Sequence, residues 1–316
     1  MADTVSVVEV SPRDGLQNEP VPLPTTAKIE LIGRLMAMGA RRIEAASFVS
    51  PRQVPQMSDA EAVLAGVPRQ PGVSLAGLVL NERGFDRAVA ARVDEINYVI
   101  VATETFSRRN QGVGCQDALR IWAAIAPRAR AAGLFTTVTI GAAFGCPFEG
   151  EVSVDRVAEI AARVADAGVD ELALADTIGV SAPTEVTAKL AAVAAAAPGV
   201  RLRCHFHNTR NTGIANAYAA AQAGVGALDT SLGGIGGCPF APLATGNIPT
   251  EDVAYLFGRM GVATGIDLAA AVESVGWLSD QLGKPLPGML ARAGLFPPPA
   301  TGEQARATPA APAEAA

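Results

Sequence analysis

The chain has 316 residues, 49% hydrophobic and 18% charged, a globular composition and not that of a disordered polymer. Its formal net charge of −6 argues against non-specific nucleic-acid binding, although a local pair such as Arg108-Arg109 can hold a phosphate in an acidic protein. Four cysteines (Cys115, Cys146, Cys204, Cys238) form no CxxC pair, which argues against a zinc knuckle or a dense disulfide framework and fits a reducing cytosol. The amino terminus shows no secretory pattern and no apolar run approaches membrane-spanning length, so the expectation is a cytoplasmic protein without membrane or nucleic-acid partners.

In chain order, β-branched or apolar runs predict strands at 5–10, 42–45, 73–79, 95–101, 135–140, 171–175, 201–207 and 227–230. Alanine-rich segments with helical spacing lie between most of them, as at 25–38, 154–167 and 184–197. Several end in glycine, at Met38-Gly39, Ala132-Gly133, Ala167-Gly168 and Ala223-Gly224, in the manner of helix C-terminal caps. Strand-then-helix alternation from 5 to 230 predicts the α/β class, a (β/α)8 TIM barrel. The alternative is a doubly wound sheet, but no strand-linked GxGxxG opens a helix. Residues 250–260 and 268–282 read as extra C-terminal helices beside the barrel. Residues 1–290 thus form one catalytic domain, and the Pro/Ala-rich stretch 297–316 reads as a flexible, disordered tail.

Both histidines of the chain fall in Cys204-His205-Phe206-His207. In a strand, the period of two points both imidazoles to one face, half of a divalent-metal site, and points Cys204 away from it. In a barrel, functional groups gather at the carboxyl ends of strands. That rule brings the Ser11–Glu19 segment, Glu44, Asp176, His205, His207, the glycine-rich run 233–237 leading to Cys238, and Asn247 to one mouth. A carboxylate (Asp14), two imidazoles and an amide (Asn247) make a mixed N/O set suited to Mg²⁺ or Mn²⁺. Arg13, always charged, can polarise a carbonyl or stabilise an enolate, and Cys238 can exchange a proton if its pKa is tuned. Each feature also has a structural reading: satisfied strand-end histidines, a surface Arg13-Asp14 ion pair, a buried small Cys238, a tight glycine turn, and Asp176 as a helix N-cap.

The chain resembles the 3-hydroxy-3-methylglutaryl-CoA lyase family, within the barrel-fold metallolyases that include isopropylmalate and homocitrate synthases. Carrying the resemblance are Val8-Glu9-Val10-Ser11-Pro12-Arg13-Asp14-Gly15-Leu16-Gln17-Asn18-Glu19, Ser47-Phe48-Val49-Ser50-Pro51, Val54-Pro55-Gln56-Met57, Gly145-Cys146-Pro147-Phe148-Glu149-Gly150, Asp176-Thr177-Ile178-Gly179-Val180 and Gly236-Gly237-Cys238-Pro239-Phe240. It implies that Asp14, His205, His207 and Asn247 hold the cation, that Arg13 stabilises the enolate of the departing acetyl-CoA, and that Cys238 is a proton donor or acid/base. It also implies that Gln17, Glu44 and Asp176 line the site, that the substrate is an acyl-CoA thioester, and that the chain pairs as a homodimer. The implied reaction is a retro-Claisen-type cleavage to acetyl-CoA and a keto acid, acetoacetate from 3-hydroxy-3-methylglutaryl-CoA.

Two stretches depart from the family, one of them Ser231-Leu232-Gly233-Gly234-Ile235, where it typically reads Ser-Val-Ala-Gly-Leu. Where its lyases read His-Cys-His-Asp-Thr-Tyr-Gly-Gln, this chain reads His205-Phe206-His207-Asn208-Thr209-Arg210-Asn211-Thr212. The new cation suggests that Arg210 pairs with a substrate carboxylate or a CoA phosphate, and that the substrate is a related thioester such as citramalyl-CoA. A condensing synthase and a non-catalytic thioester-binding barrel are the competing readings. Four retained ligand candidates, Arg13 and Cys238 argue against the second, and the tapering C-terminus argues against the first.

Overall fold

The structure, a computed structural model, describes residues 3–237 and 245–298. Parallel strands β1 (Ser6–Glu9), β2 (Arg42–Ser47), β3 (Ser74–Val79), β4 (Glu95–Val101), β5 (Phe135–Gly141), β6 (Glu171–Asp176), β7 (Arg201–Phe206) and β8 (Ala227–Thr230) close into a barrel in sequence order, with β8 pairing back onto β1. The strand runs anticipated from the sequence all appear, within a residue or two at their ends. Their β-branched and aliphatic residues suit strands covered on the outside by helices, where a continuous apolar run replaces alternation.

The covering helices are amphipathic. In the helix Val154–Ala167, Val157, Ile160, Ala161 and Val164 are buried at helical spacing, and Ser153 caps the start by accepting from Arg156 N. The helix that follows β8, Thr250–Arg259, buries Val253, Ala254 and Phe257. It is joined by Leu268–Leu282, capped by Asp267, which accepts from Ala269 N and Ala270 N. The anticipated flexible tail falls almost wholly at 299–316, outside the described residues.

The barrel interior is unusually charged for a fold whose centre is normally filled by branched apolar residues. At its N-terminal end Arg42 donates to Glu95 (2.8 Å) and Glu171 (2.9 Å). Above it Arg203, 1% exposed, donates through Nε to Asp229 and lies 3.7 Å from both Glu44 and Glu171. Charges this deep persist only when paired and hydrogen-bonded. The network rises to the C-terminal mouth, where the candidate site lies.

Candidate active site

The first loop carries Arg13 and Asp14 on a single π-helical turn, Ser11–Gly15, in which the N–H groups of Arg13, Asp14 and Gly15 converge on Val10 O. Gly15 is required there: a Cβ would lie 2.7 Å from Ile235 Cγ1, so only glycine lets this turn meet the loop after β8. Gly236, at φ +117°, is the second such position, since a Cβ would fall 2.6 Å from Asn247 Nδ2. Asn18 closes the contact by donating to Gly237 O (2.8 Å).

Ligating atoms of Asp14, His205 and His207 lie within 4.8 Å of one another. Asp14 Oδ2 is 3.9 Å from His205 Nε2 and 3.8 Å from His207 Nε2, and it accepts from Asn247 Nδ2 (2.9 Å). Asn247 arrives by pairing with His207 in a β-bridge, which places the loop after β8 beside the end of β7. Asn247 Oδ1 and His207 Nδ1 are buried without hydrogen-bond partners among the described residues. Orphaned buried polar atoms are rare in folded proteins and mark a site for a water, ion or ligand. The donor set within one small volume is two imidazoles and a carboxylate, with the Asn247 amide beside it. It fits a divalent cation of the Mg²⁺ or Mn²⁺ kind.

Asp229 of β8 fixes one ligand: His205 Nδ1–H donates to its Oδ2 (3.1 Å), which leaves the Nε2 lone pair facing Asp14. Burial disfavours a charged His205, yet the bond to Asp229 and the field of Asp14 outweigh it, and its pKa stands above the usual histidine value. For His207 burial prevails, reinforced by the charge of His205, and the pKa is lowered. Burial would raise the Asp14 carboxyl, but Arg13 and the two histidines hold it well below the usual range.

Arg13 is oriented by Glu44, whose Oε1 accepts from Arg13 Nε (2.7 Å), and by Asp14, which accepts from Nη1 (2.5 Å). Glu44 itself is fully buried and accepts from Asn97 Nδ2 (3.2 Å), so it acts through Arg13 and does not line the cavity. The cavity, about 610 Å³, contains Arg13, Asp14, Gln17, both histidines and Asp229 at one end. Cys238 lies outside the described residues; its neighbour Gly237 lines the cavity.

Two expected substrate contacts are placed elsewhere. Asp176 is fully buried, and its carboxylate accepts from Val180 N, Ser181 N and Ser181 Oγ within its own loop, which leaves it no reach to the cavity. Arg210 is spent on backbone: its Nη1 donates to Ile178 O (3.1 Å) and Gly179 O (2.9 Å), and it does not line the cavity.

Sequence reasoning also missed Asp229, Arg203 and Glu9. The period of two that paired His205 with His207 extends back to Arg203, so that signal was present. Glu9 is fully buried, accepts from Ser11 N (2.9 Å), Leu232 N (3.1 Å) and Thr250 Oγ1 (2.6 Å), and so ties three loops of the site together.

Fold and site define the class, a (β/α)8 barrel with a candidate divalent-cation site at its carboxyl-end mouth. The comparisons with known proteins give the family. The HMGL-like family model matches residues 4–275. The chain is 46% identical over 303 residues to the (R)-citramalyl-CoA lyase of Chloroflexus aurantiacus, covering 92% of this chain and 95% of that one. It is 38% identical to the hydroxymethylglutaryl-CoA lyase YngG of Bacillus subtilis, covering 90% and 95%. A solved structure of an HMG-CoA lyase from Acinetobacter baumannii, in complex with coenzyme A and 3-methylmalate, superposes with a TM-score of 0.90 at 39% identity, covering 93% of this chain and 96% of that one. The chain belongs to the HMGL-like family and is a carbon–carbon lyase. Among the described residues, no helix is long and apolar enough to cross a membrane.

Proposed function

We propose that the protein cleaves the thioester of a 3-hydroxy-3-methyl dicarboxylic acid with CoA, releasing acetyl-CoA and a keto acid, with Mg²⁺ or Mn²⁺ held by Asp14, His205, His207 and Asn247. The observation that carries this is the convergence of Arg13, bound by Glu44, on the same cavity end as the Asp14–His205–His207 cluster. The 46% identity to an (R)-citramalyl-CoA lyase favours the shorter acyl group, whose products are acetyl-CoA and pyruvate, over 3-hydroxy-3-methylglutaryl-CoA, whose products are acetyl-CoA and acetoacetate.

In the reaction the 3-hydroxyl gives up a proton and its oxygen becomes the carbonyl of the keto acid, the electron pair of the breaking C2–C3 bond moves into the thioester to form an enolate, and one proton is returned to C2, so that none is gained or lost overall. A divalent cation in this donor set supplies Lewis acidity, which lowers the pKa of a bound hydroxyl. Asp229 keeps His205 in the tautomer whose Nε2 is free to ligate. Arg13 has its Nε and Nη1 committed to Glu44 and Asp14, so its cation is fixed before substrate arrives. A fixed charge stabilises an oxyanion that develops only as the bond breaks, worth about 10²–10³ in kcat. Cys238, next in sequence to the cavity residue Gly237, is the acid/base group of this reading.

The test is turnover by metal-stripped protein with Mg²⁺ or Mn²⁺ restored, run on (R)-citramalyl-CoA and 3-hydroxy-3-methylglutaryl-CoA, with acetyl-CoA, pyruvate and acetoacetate quantified. Metal-dependent release of acetyl-CoA with pyruvate supports the shorter substrate, and with acetoacetate the longer one. No metal-dependent acetyl-CoA from either rejects the proposal.

A further inference from the structure

The helix Glu104–Gln111 brings a second cation to the cavity. Of the two arginines in its last turn, Arg108 lies 3.5 Å from Glu104, whereas Arg109 makes no ion pair or hydrogen bond among the described residues. The Arg109 guanidinium instead lies 4.2 Å from the ring centroid of Phe148, which meets Phe106 edge-on with centroids 5.6 Å apart. Stacking on an aromatic face removes rotamer freedom from an arginine while leaving its donors unused. Asn18, Gln53, Gln56 and Asn110, also in the cavity lining, carry no charge. The other arginine of the cavity lining, Arg13, is neutralised by Glu44 and Asp14. Arg109 is therefore the one cavity cation without an acidic partner among the described residues, in a chain of net charge −6.

We infer that Arg109 is a specificity-determining residue whose guanidinium binds an oxyanion of the thioester substrate. The inference rests on the acyl-CoA reading above. Two groups of such a substrate have the right chemistry, the carboxylate of the acyl chain and a phosphate of CoA. Both accept bidentate hydrogen bonds from a planar guanidinium. A helix-dipole role in the last turn of this helix is the competing account, and it requires a stability effect with no effect on substrate binding.

The experiment compares wild type, Arg109→Gln and Arg109→Lys as full-length, metal-loaded proteins. Arg109 is exposed, so Gln is expected to fold, and thermal unfolding midpoints check it. With the CoA thioester, Arg109→Gln should lower kcat/KM at least 10-fold, mostly through KM, and Arg109→Lys should recover part of the loss. The same acyl group on N-acetylcysteamine keeps the carboxylate and lacks every phosphate. If the loss disappears with that thioester and the inhibition constant of free CoA rises in parallel, the ligand is a phosphate. If the loss persists and CoA inhibition is unchanged, the ligand is the carboxylate. A kcat/KM within twofold of wild type on the CoA thioester overturns the inference. Should wild type turn over neither thioester, the functional reading fails by itself. Calorimetric binding of CoA and of free citramalate then decides: loss of either affinity in Arg109→Gln supports the inference, and equal or absent binding overturns it.

Discussion

Replacing Arg203 with methionine removes the cation at the centre of the barrel while keeping most of its volume. Of its three carboxylate neighbours, two have other partners: Glu171 keeps both bonds from Arg42, and Glu44 keeps Arg13 and Asn97. Asp229 loses its only guanidinium partner and is left with His205. The cost is therefore that of one broken buried ion pair, about 3–5 kcal/mol, because the surviving carboxylate stays desolvated. That is a large share of a typical domain stability of roughly 5–15 kcal/mol. Urea unfolding followed by circular dichroism reads it as a lower midpoint at unchanged slope. Asp229→Asn in the same background should return much of the loss, so a double-mutant cycle should show a favourable coupling. Since Asp229 also orients His205, Mn²⁺ affinity measured by calorimetry should fall about 10–100-fold in Arg203→Met. A loss below about 1 kcal/mol, or additivity with Asp229→Asn, would refute the view that this pair is the uncompensated one.

Two further perturbations follow from the site geometry. Gly236→Ala puts a Cβ 2.6 Å from Asn247 Nδ2 and 3.2 Å from Asp14 O at a positive φ, so Mn²⁺ affinity should drop at least about 10-fold while the far-ultraviolet spectrum is kept; unchanged affinity would show that the loop yields. Burial pushes the Glu251 carboxyl up to about 8, although it accepts from Gly233 N (3.0 Å). Between its ordinary value of 4.5 and about 8 the folded protein retains a proton that the unfolded chain has released. Stability from this group is thus full below pH 4.5 and is lost as pH rises toward 8, by up to roughly 1.4 kcal/mol per unit. Glu251→Gln should flatten that decline in unfolding midpoints taken from pH 5 to 8.5, and parallel curves for the two proteins would refute the assignment.

Much of this molecule was legible in one dimension. Strand and helix periodicity is local, so the alternation from Ser6 to Thr230 announced a barrel, and the rule that barrel chemistry sits at strand ends placed Asp14, His205, His207 and Asn247 at one mouth before any coordinates. The Arg108-Arg109 pair was legible as a candidate phosphate holder, but which of the two faces the cavity was not, because only packing shows that Phe148 holds Arg109 there. Arg210 shows the opposite failure. Its sequence position beside the ligands suggested a substrate contact, but the carbonyls of Ile178 and Gly179 come from a loop about 30 residues away in the chain. Asp176 was equally misdirected by its place at a strand end, since backbone N–H groups of its own loop claim its carboxylate. The sequence by itself determined which elements form and which residue types reach the mouth, because both depend on local spacing. Which charges pair, and so which remain for a ligand, was decided only by tertiary contact, because the partner of a buried charge is set by where distant strands bring it.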